Sequence, residues 1–267
     1  MTTSEQPQEQ IAVEQIELTA TQTAAPAHSE ALPAQPPSRD AAFWAPKVDR
    51  LSIDPARAAE GFNVAGRRVT GPQQGFGKLW QRNYATRLRP TVTPEQLISD
   101  WKANFAAFWP KGNRFGATLI APGEVAPIAV NAGAGIKLAT GVMVLYSDPE
   151  SFTFMTPEGH MFAGWITFSG HVENETTMAR IQILLRTSDP LFELTWPVMR
   201  RMEDRFWRQT MRNLAAHYGI TRATVSEETV CVDRSRLWHN WRNVRHNSAI
   251  RTMLHLVSAP VRMFRGH

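Results

Sequence analysis

From residue 136 to residue 218 the apolar positions recur first at every second residue and then at every third or fourth. Along Thr177–Thr187, Ala179, Ile181, Ile183 and Leu185 share one face, while Met178, Arg180, Gln182 and Arg186 share the other with Leu184. Such alternation predicts a strand with a core side and a mostly wet side. His160–Val172 places Phe162, Ile166 and Phe168 on one face and Met161 and Trp165 on the other; Ile136–Tyr146 and the shorter Ser151–Met155 read as strands too. Ser147-Asp148-Pro149-Glu150 and Thr156-Pro157-Glu158-Gly159 carry the turn chemistry that joins antiparallel neighbours. After Ser188-Asp189-Pro190 the period lengthens. Leu191, Leu194, Val198, Met202, Phe206 and Leu214 line one side of a long helix that Tyr218-Gly219 stops.

Upstream, Lys78–Leu88 alternates Leu79 and Gln81 against Trp80, Arg82 and Tyr84, which predicts a strand. Thr93-Pro94-Glu95-Gln96 opens a helix, with Thr as cap and Pro in the first turn, and Leu97, Ile98, Trp101, Phe105 and Phe108 follow at helical spacing. Short strands are expected at Arg114–Ile120 and Val125–Val130, and a last one at Thr224–Val232. The pattern predicts an α+β domain over 78–220, a curved antiparallel sheet of about seven strands wrapped on the long helix. Residues 43–77 read as a linker with a Phe43-Trp44 anchor and a short helix capped by Asp54; 221–267 add a strand and a helical extension.

Composition changes the picture at the two ends. Residues 1–42 hold Glu5, Glu9, Glu14, Glu17, Glu30 and Asp40 against Arg39, a net of −5, so that a whole-chain charge of +5 leaves +10 for the remainder. Rich in Gln, Thr, Ala and Pro and without periodicity, 1–42 reads as a disordered acidic tail, with a motif-bearing tail as the alternative. The basic remainder favours anionic partners. A single Cys231 excludes an intrachain disulfide and a thiolate zinc site. The first residues lack a basic and apolar leader, and no apolar run has the roughly 20 residues that span a bilayer. A cytoplasmic protein is expected. Gly71–Gly77 lacks the Lys-Ser/Thr of a phosphate loop, and neither a Gly-x-Ser-x-Gly elbow nor a His-Glu-x-x-His helix occurs.

The run Tyr146-Ser-Asp-Pro…Phe152-Thr-Phe154-Met-Thr-Pro-Glu-Gly-His160-Met-Phe-Ala-Gly-Trp-Ile-Thr-Phe168, with the element order, resembles the helix-grip (SRPBCC) superfamily of START, pollen-allergen and polyketide-cyclase-like proteins. Within it, this run followed by Asp189-Pro190-Leu191…Trp196…Glu203-Asp204-Arg205-Phe206-Trp207 is similar to an uncharacterised bacterial family. Gly75–Trp80 and Phe108–Phe115 carry the same likeness, which spans about residues 71–220. The resemblance implies a helix-grip fold and an apolar cavity. It implies no chemistry, because members of one fold bind unrelated ligands.

If the helix grips the sheet, Phe154, Phe162, Ile166, Phe168, Ile181, Ile183 and Leu185 should face Trp196, Met199, Met202 and Phe206, an adaptable lining for a ligand; a filled core is the alternative. Glu158 and His160 are the candidate polar site, as acid and base at a pocket mouth, against a simple turn. Arg200, Arg201, Glu203, Asp204 and Arg205 read as the solvated helix face, with pairs Arg200–Glu203 and Arg200–Asp204. No catalytic residue, metal site or cofactor is assigned.

After Asp233 no acid occurs. Ile250, Met253, Leu254, Val257, Val261 and Phe264 keep helical spacing, and Arg251, His255, Ser258, Arg262 and Arg265 form a neighbouring basic stripe, with Pro260 as a kink. Apolar and basic stripes side by side suit a helix lying on an anionic membrane, with Arg251, His255, Arg262 and Arg265 on headgroups. Packing of the apolar stripe on the domain or on a second copy is the alternative. Trp238 and Trp241 among arginines leave a disfavoured third reading, nucleic acid. The expected function is binding or carrying a hydrophobic small molecule or lipid, with docking on a membrane surface. A cyclase- or isomerase-like enzyme on the same cavity is the alternative, and oligomeric state is left open.

Overall fold

Row by row, the alternating side chains of the strands meet across one antiparallel sheet. The computed structural model describes residues 42–131 and 137–258. The predicted acidic tail (all but Ala42), Ile136, and the tail bearing Pro260, Val261, Arg262, Phe264 and Arg265 lie outside the described residues. In chain order the strands are β1 (Val69–Thr70), β2 (Leu79–Arg87), β3 (Arg114–Phe115), β4 (Val125–Asn131), β5 (Lys137–Ser147), β6 (Ser151–Pro157), β7 (Phe162–Glu173), β8 (Thr176–Thr187) and β9 (Val225–Asp233). The helices are α1 (Pro94–Ala103), α2 (Pro190–His217) and α3 (Ser248–Val257).

The sheet runs β3-β4-β5-β6-β7-β8-β2-β9, with β1 paired to β6, so the described residues form nine strands. Two of them, β1 and β3, are only two residues long, and β1 arises in the segment read as a linker. The fold is an α+β helix-grip, a large curved sheet holding the long α2, with α3 following. Irregular pairings at Val144/Tyr146 and Leu79/Trp80 supply bends of the kind a curved sheet needs. The β7–β8 hairpin closes on Asn174 and Glu175, both at positive φ, as a two-residue turn between twisted strands requires.

One row of the inner face crosses six strands as Thr229, Arg82, Ile183, Ile166, Phe154 and Val144. The next holds Tyr84, Ile181, Phe168 and Phe152. Ala179, Ile181, Ile183 and Leu185 are all buried, as the β8 alternation predicts. Over this face α1 and the turn Phe105–Phe108 insert Trp101 and Phe105: Trp101 meets Phe168 at 5.2 Å, and Phe105 meets Phe168 at 5.1 Å and Phe154 at 5.2 Å between ring centroids. That half of the grip is filled by aromatic edge-to-face packing.

α2 begins where the periodicity placed it. Asp189 Oδ1 accepts the amides of Leu191 (2.8 Å) and Phe192 (3.0 Å), and Pro190 occupies the first turn. Its inward stripe differs from the predicted one. Phe192, Trp196, Asp204, Met211 and Leu214 are buried, whereas Leu191, Val198 and above all Leu194 (79% exposed) face out. The reason is that the helix is turned by two contacts: Trp196 packs on Trp80 and Phe162, and Glu203 and Asp204 reach inward to Arg82. The carboxylates read as solvated are therefore turned inward, although Arg200 Nε does lie 4.0 Å from Asp204 Oδ2. Arg186, expected in water, is buried on the outer face and donates to the Gly77 (2.6 Å) and Ser235 (2.8 Å) carbonyls and to Asp233. Hydrogen bonds from Ser235 and then Arg186 hold the Asp233 carboxyl down at about 2. Arg180 is half-buried beside His171 Nε2 at 3.3 Å.

Beyond β9 the chain folds back as the turn Trp238–His246 and α3. Asparagines tether it: Asn240 donates to the Gly75 carbonyl (2.8 Å), Asn243 to that of Ser188 (2.9 Å), and Asn247 to Asp189 Oδ2 (2.7 Å). Ser248 N donates to the Gly159 carbonyl, and Gly159 sits at φ +88, with His246 O so close that a Cβ would meet it at 2.1 Å. α3 rests its polar side on the domain. Asn63, in the 43–77 segment, donates to Thr252 Oγ1 (3.1 Å) and accepts from Arg251 Nε (3.0 Å), while Phe62 stacks on His255 at 4.2 Å.

Candidate functional site

Away from the Trp101–Phe105 cluster, α2 stands off the sheet and leaves a cavity of about 1350 Å³. Its walls come from β7 and β8 (Phe162, Ile166, Ile183, Leu185), from α2 (Val198, Met199, Met202, Phe206) and from β4–β5 (Ile128, Val130, Leu138, Val142). Gly164 stands in the same wall, opposite Leu185 on β8; its φ of +156 and a Cβ position 2.0 Å from the Leu184 carbonyl make glycine necessary there. Of the predicted lining, Phe162, Ile166, Ile183, Leu185, Met199, Met202 and Phe206 border this space. Phe154, Phe168, Ile181 and Trp196 lie in the packed core beside it.

The polar element of the cavity is one that sequence reasoning assigned to solvent. Glu203 borders the space and pairs with the fully buried Arg82, which also pairs with Asp204. Tyr84 Oη donates to Asp204 Oδ1 at 2.9 Å, and Trp207 Nε1 lies 3.4 Å from Glu203 Oε1. Burial pushes the Glu203 carboxyl above its ordinary range, against the pull of Arg82; burial, then Glu203, raises the Tyr84 phenol. The one signal that pointed here was the alternation Trp80/Arg82/Tyr84, which sets a cation on an aromatic, core-facing stripe. Chemically, the group is a closed network with one carboxyl at the edge of an apolar space.

Glu158 and His160 are not brought together as acid and base. Glu158 points outward to Arg67 Nη1 (3.6 Å) and His246 Nε2 (3.4 Å). His160 is buried against the cavity, and its Nδ1 accepts the Phe162 amide at 3.0 Å. Burial lowers its imidazole to about 4. A group whose proton affinity falls on folding is neutral in the native state above pH 6.5 and in both states there, so its penalty appears as pH drops from 6.5 towards 4. Urea denaturation at pH 7 and pH 5 should therefore show a loss of about 2 kcal/mol that His160→Asn does not show. An equal loss in both proteins would remove His160 as its source.

Arg251 and His255 of the predicted anion-binding set face the Asn63 and Phe62 side chains of the domain. The apolar stripe of α3 faces away from it: Ile250, Met253, Leu254, Leu256 and Val257 are exposed. Met253 and Val198 border the same cavity, so the outward apolar residues of α2 and α3 form one of its rims. Among the described residues no three His, Cys, Asp or Glu side chains gather as a metal site, and no helix is long and apolar enough to cross a membrane.

No protein-family model matches the chain, and no curated protein does. Among solved structures it is similar to protein Ms6760 from Mycobacterium smegmatis, with 11% identity over 51% of this chain and 89% of that one and a TM-score of 0.40. It is also similar to the di-domain ARO/CYC StfQ from the steffimycin biosynthetic pathway, with 6% identity over 53% of this chain and 51% of that one and a TM-score of 0.41. Major latex-like protein 151 from Panax ginseng shares 18% identity over 53% of this chain and 99% of that one, with a TM-score of 0.35. These likenesses are distant, and the functional reading rests on the geometry of the cavity.

Proposed function

We propose that the chain binds and carries a hydrophobic small molecule or lipid between its sheet and α2. The cavity supports this reading best: its volume of about 1350 Å³ exceeds the roughly 300–1,000 Å³ of ordinary ligand sites, and Met199 and Met202 give it an adaptable wall. A network centred on Arg82 occupies Glu203, whose two oxygens meet Arg82 and Trp207. That engagement favours carrying over cyclase- or isomerase-like catalysis with Glu203 as the acid or base. Organic extraction of the purified protein followed by mass spectrometry should release a hydrophobic compound. Empty extracts, together with no binding of an environment-sensitive fluorophore, would end this reading.

The second part of the proposal is that cargo is exchanged at a membrane surface. Support comes from the outward apolar residues Leu191, Leu194 and Val198 of α2 and Met253, Leu254 and Val257 of α3, with Trp238, Trp241 and the basic residues of 234–245 nearby in the chain. On this reading the protein sediments with phosphatidylserine-containing vesicles and Leu194→Asp/Leu254→Asp weakens that binding. Equal sedimentation of both proteins would remove the membrane from the mechanism.

A further inference from the structure

The residues bordering the cavity fall into two chemically unlike groups. Near the start of α2 and at α3 they are uncharged: Phe192, Thr195, Val198, Ala249, Thr252 and Met253. Towards the end of α2 they include Lys111, Lys137, Arg205 and Arg212. Four local contacts bring these four cations to one end. Asn131 N donates to Asn113 Oδ1 at 2.8 Å, joining the Lys111–Asn113 turn to the end of β4, and Asn131 pairs across the ladder with Lys137. Asn213 Nδ2 donates to the Phe108 carbonyl at 2.9 Å, and Phe206 packs on Trp109 at 5.1 Å, which sets the α2 residues beside the same turn.

All four cations are exposed, and no described acid pairs with them. Arg208, between Arg205 and Arg212, is engaged by Glu227 at 3.8 Å. Glu203 is the one acid on the cavity wall among the described residues, and Arg82 neutralises it. A neutral hydrophobic cargo would make no use of four uncompensated cations at the edge of an apolar space. An anionic group at one end of the cargo would be drawn there by their summed field. On the β5 side the two ends approach, because Ala139, two residues from Lys137, accepts from the Asn63 amide that also donates to Thr252 of α3; along α2, by contrast, Val198 and Arg212 are 14 residues apart, roughly 20 Å at the helical rise. That span fits an extended hydrocarbon chain rather than a compact ring system.

We infer that the cargo is a chain amphiphile with an anionic end, a carboxylate or a phosphate, seated with that end at Lys111, Lys137, Arg205 and Arg212 and its chain running along α2 towards Val198. The inference rests on the cavity reading proposed above and adds the polarity and direction of the ligand. The shared chemistry is the anion. Whether it arrives as a free acid or as a phosphate monoester is separated by the probes.

The test is displacement of an environment-sensitive fluorophore from the full chain by dodecanoate, dodecyl phosphate, dodecanol, dodecylamine and inorganic phosphate. The anionic amphiphiles should bind about tenfold more tightly than dodecanol, a preference of the size that a few exposed cations supply. Dodecylamine should be the weakest chain, and inorganic phosphate alone should displace nothing. The preference should shrink in high salt. It should fall towards unity in Lys111→Glu/Arg205→Glu/Arg212→Glu and persist in the charge-matched control Lys47→Glu/Arg87→Glu/Arg222→Glu. Dodecanoate or dodecyl phosphate binding better than the other identifies which anion is favoured. Equal binding of dodecanol and both anions, or a preference that survives in the first triple variant or disappears equally in the second, overturns the inference while leaving the cavity reading intact. Failure of every chain, dodecanol included, defeats the cavity reading itself.

Discussion

Replacing Arg82 by methionine should cost about 3–5 kcal/mol of folding stability, the usual consequence of stripping one partner from a buried ion pair. Arg82 has no exposed surface and serves two carboxylates, Glu203 and Asp204, that enter from α2. Without the guanidinium both remain in an apolar surround, and Tyr84 can satisfy only one oxygen of Asp204. The loss should depend on pH in a definite direction. Burial already raises the Glu203 carboxyl, and removal of Arg82 takes away the group that pulls it down. A carboxyl raised on folding is best tolerated protonated, so the deficit of the variant should narrow as pH is lowered and widen towards neutrality. The triple change Arg82→Met/Glu203→Gln/Asp204→Asn should recover most of the loss, because no charge is then left alone. Urea denaturation of the three proteins between pH 5 and pH 8 gives the comparison. A pH-independent loss, equal in single and triple variants, would mean that Arg82 acts through its volume.

Phe168→Ala and Met202→Ala should separate the two halves of the grip. Phe168 is fully buried, stacked on Phe152 at 4.7 Å and met edge-on by Trp101, Phe105 and Trp207. Its truncation leaves a hole that these four rings cannot collapse into, at a cost of about 3–5 kcal/mol. Met202 borders space that is already empty, so its side chain has partners on one side only. Its truncation should cost about 1 kcal/mol or less in the unliganded protein, since few packed contacts are lost. Fluorophore affinity should move the other way round, changing with Met202→Ala and not in proportion to stability. Comparable denaturation losses in the two variants would show that the α2 side is packed as tightly as the α1 side.

Strands proved legible where one face is uniformly apolar. Ala179, Ile181, Ile183 and Leu185 declare their side of β8 by chemistry alone, and Asp189-Pro190 announces α2 by its cap. The helix register was a different matter. Leu191, Leu194 and Val198 form as good an apolar stripe as Phe192 and Trp196, and what decides between them is a contact in space, Arg82 with Glu203 and Asp204. The residues that close that contact are about 120 positions apart along the chain, and Glu203 and Asp204 read as surface when taken alone. For the same reason Phe154 and Phe168 could not be told from Ile166 and Ile183 as cavity walls. The difference is made by Trp101 and Phe105, which arrive on another element and fill one half of the space. α3 offers an inversion: its apolar stripe is plain in the sequence, yet its Ser248, Arg251 and Thr252 side makes the contact, because Asn63 bonds Arg251 and Thr252 there and the Gly159 carbonyl accepts the Ser248 amide.

The position of β9 bears on how the chain is made. β2 lies between β8 and β9 in the sheet, although β9 follows it by well over a hundred residues. During synthesis from the N-terminus, β2 can pair with β8 long before β9 emerges. For that interval the backbone groups along the far side of β2 have no partner, and the apolar rim beside α2 lacks Ala249 and Met253. An open strand edge next to an unfinished hydrophobic cleft is the kind of surface that draws other chains. Asn247, held by the Asp189 carboxylate at the very start of α2, thus belongs to the segment whose arrival ends the period in which a nascent molecule is most exposed to association with its neighbours.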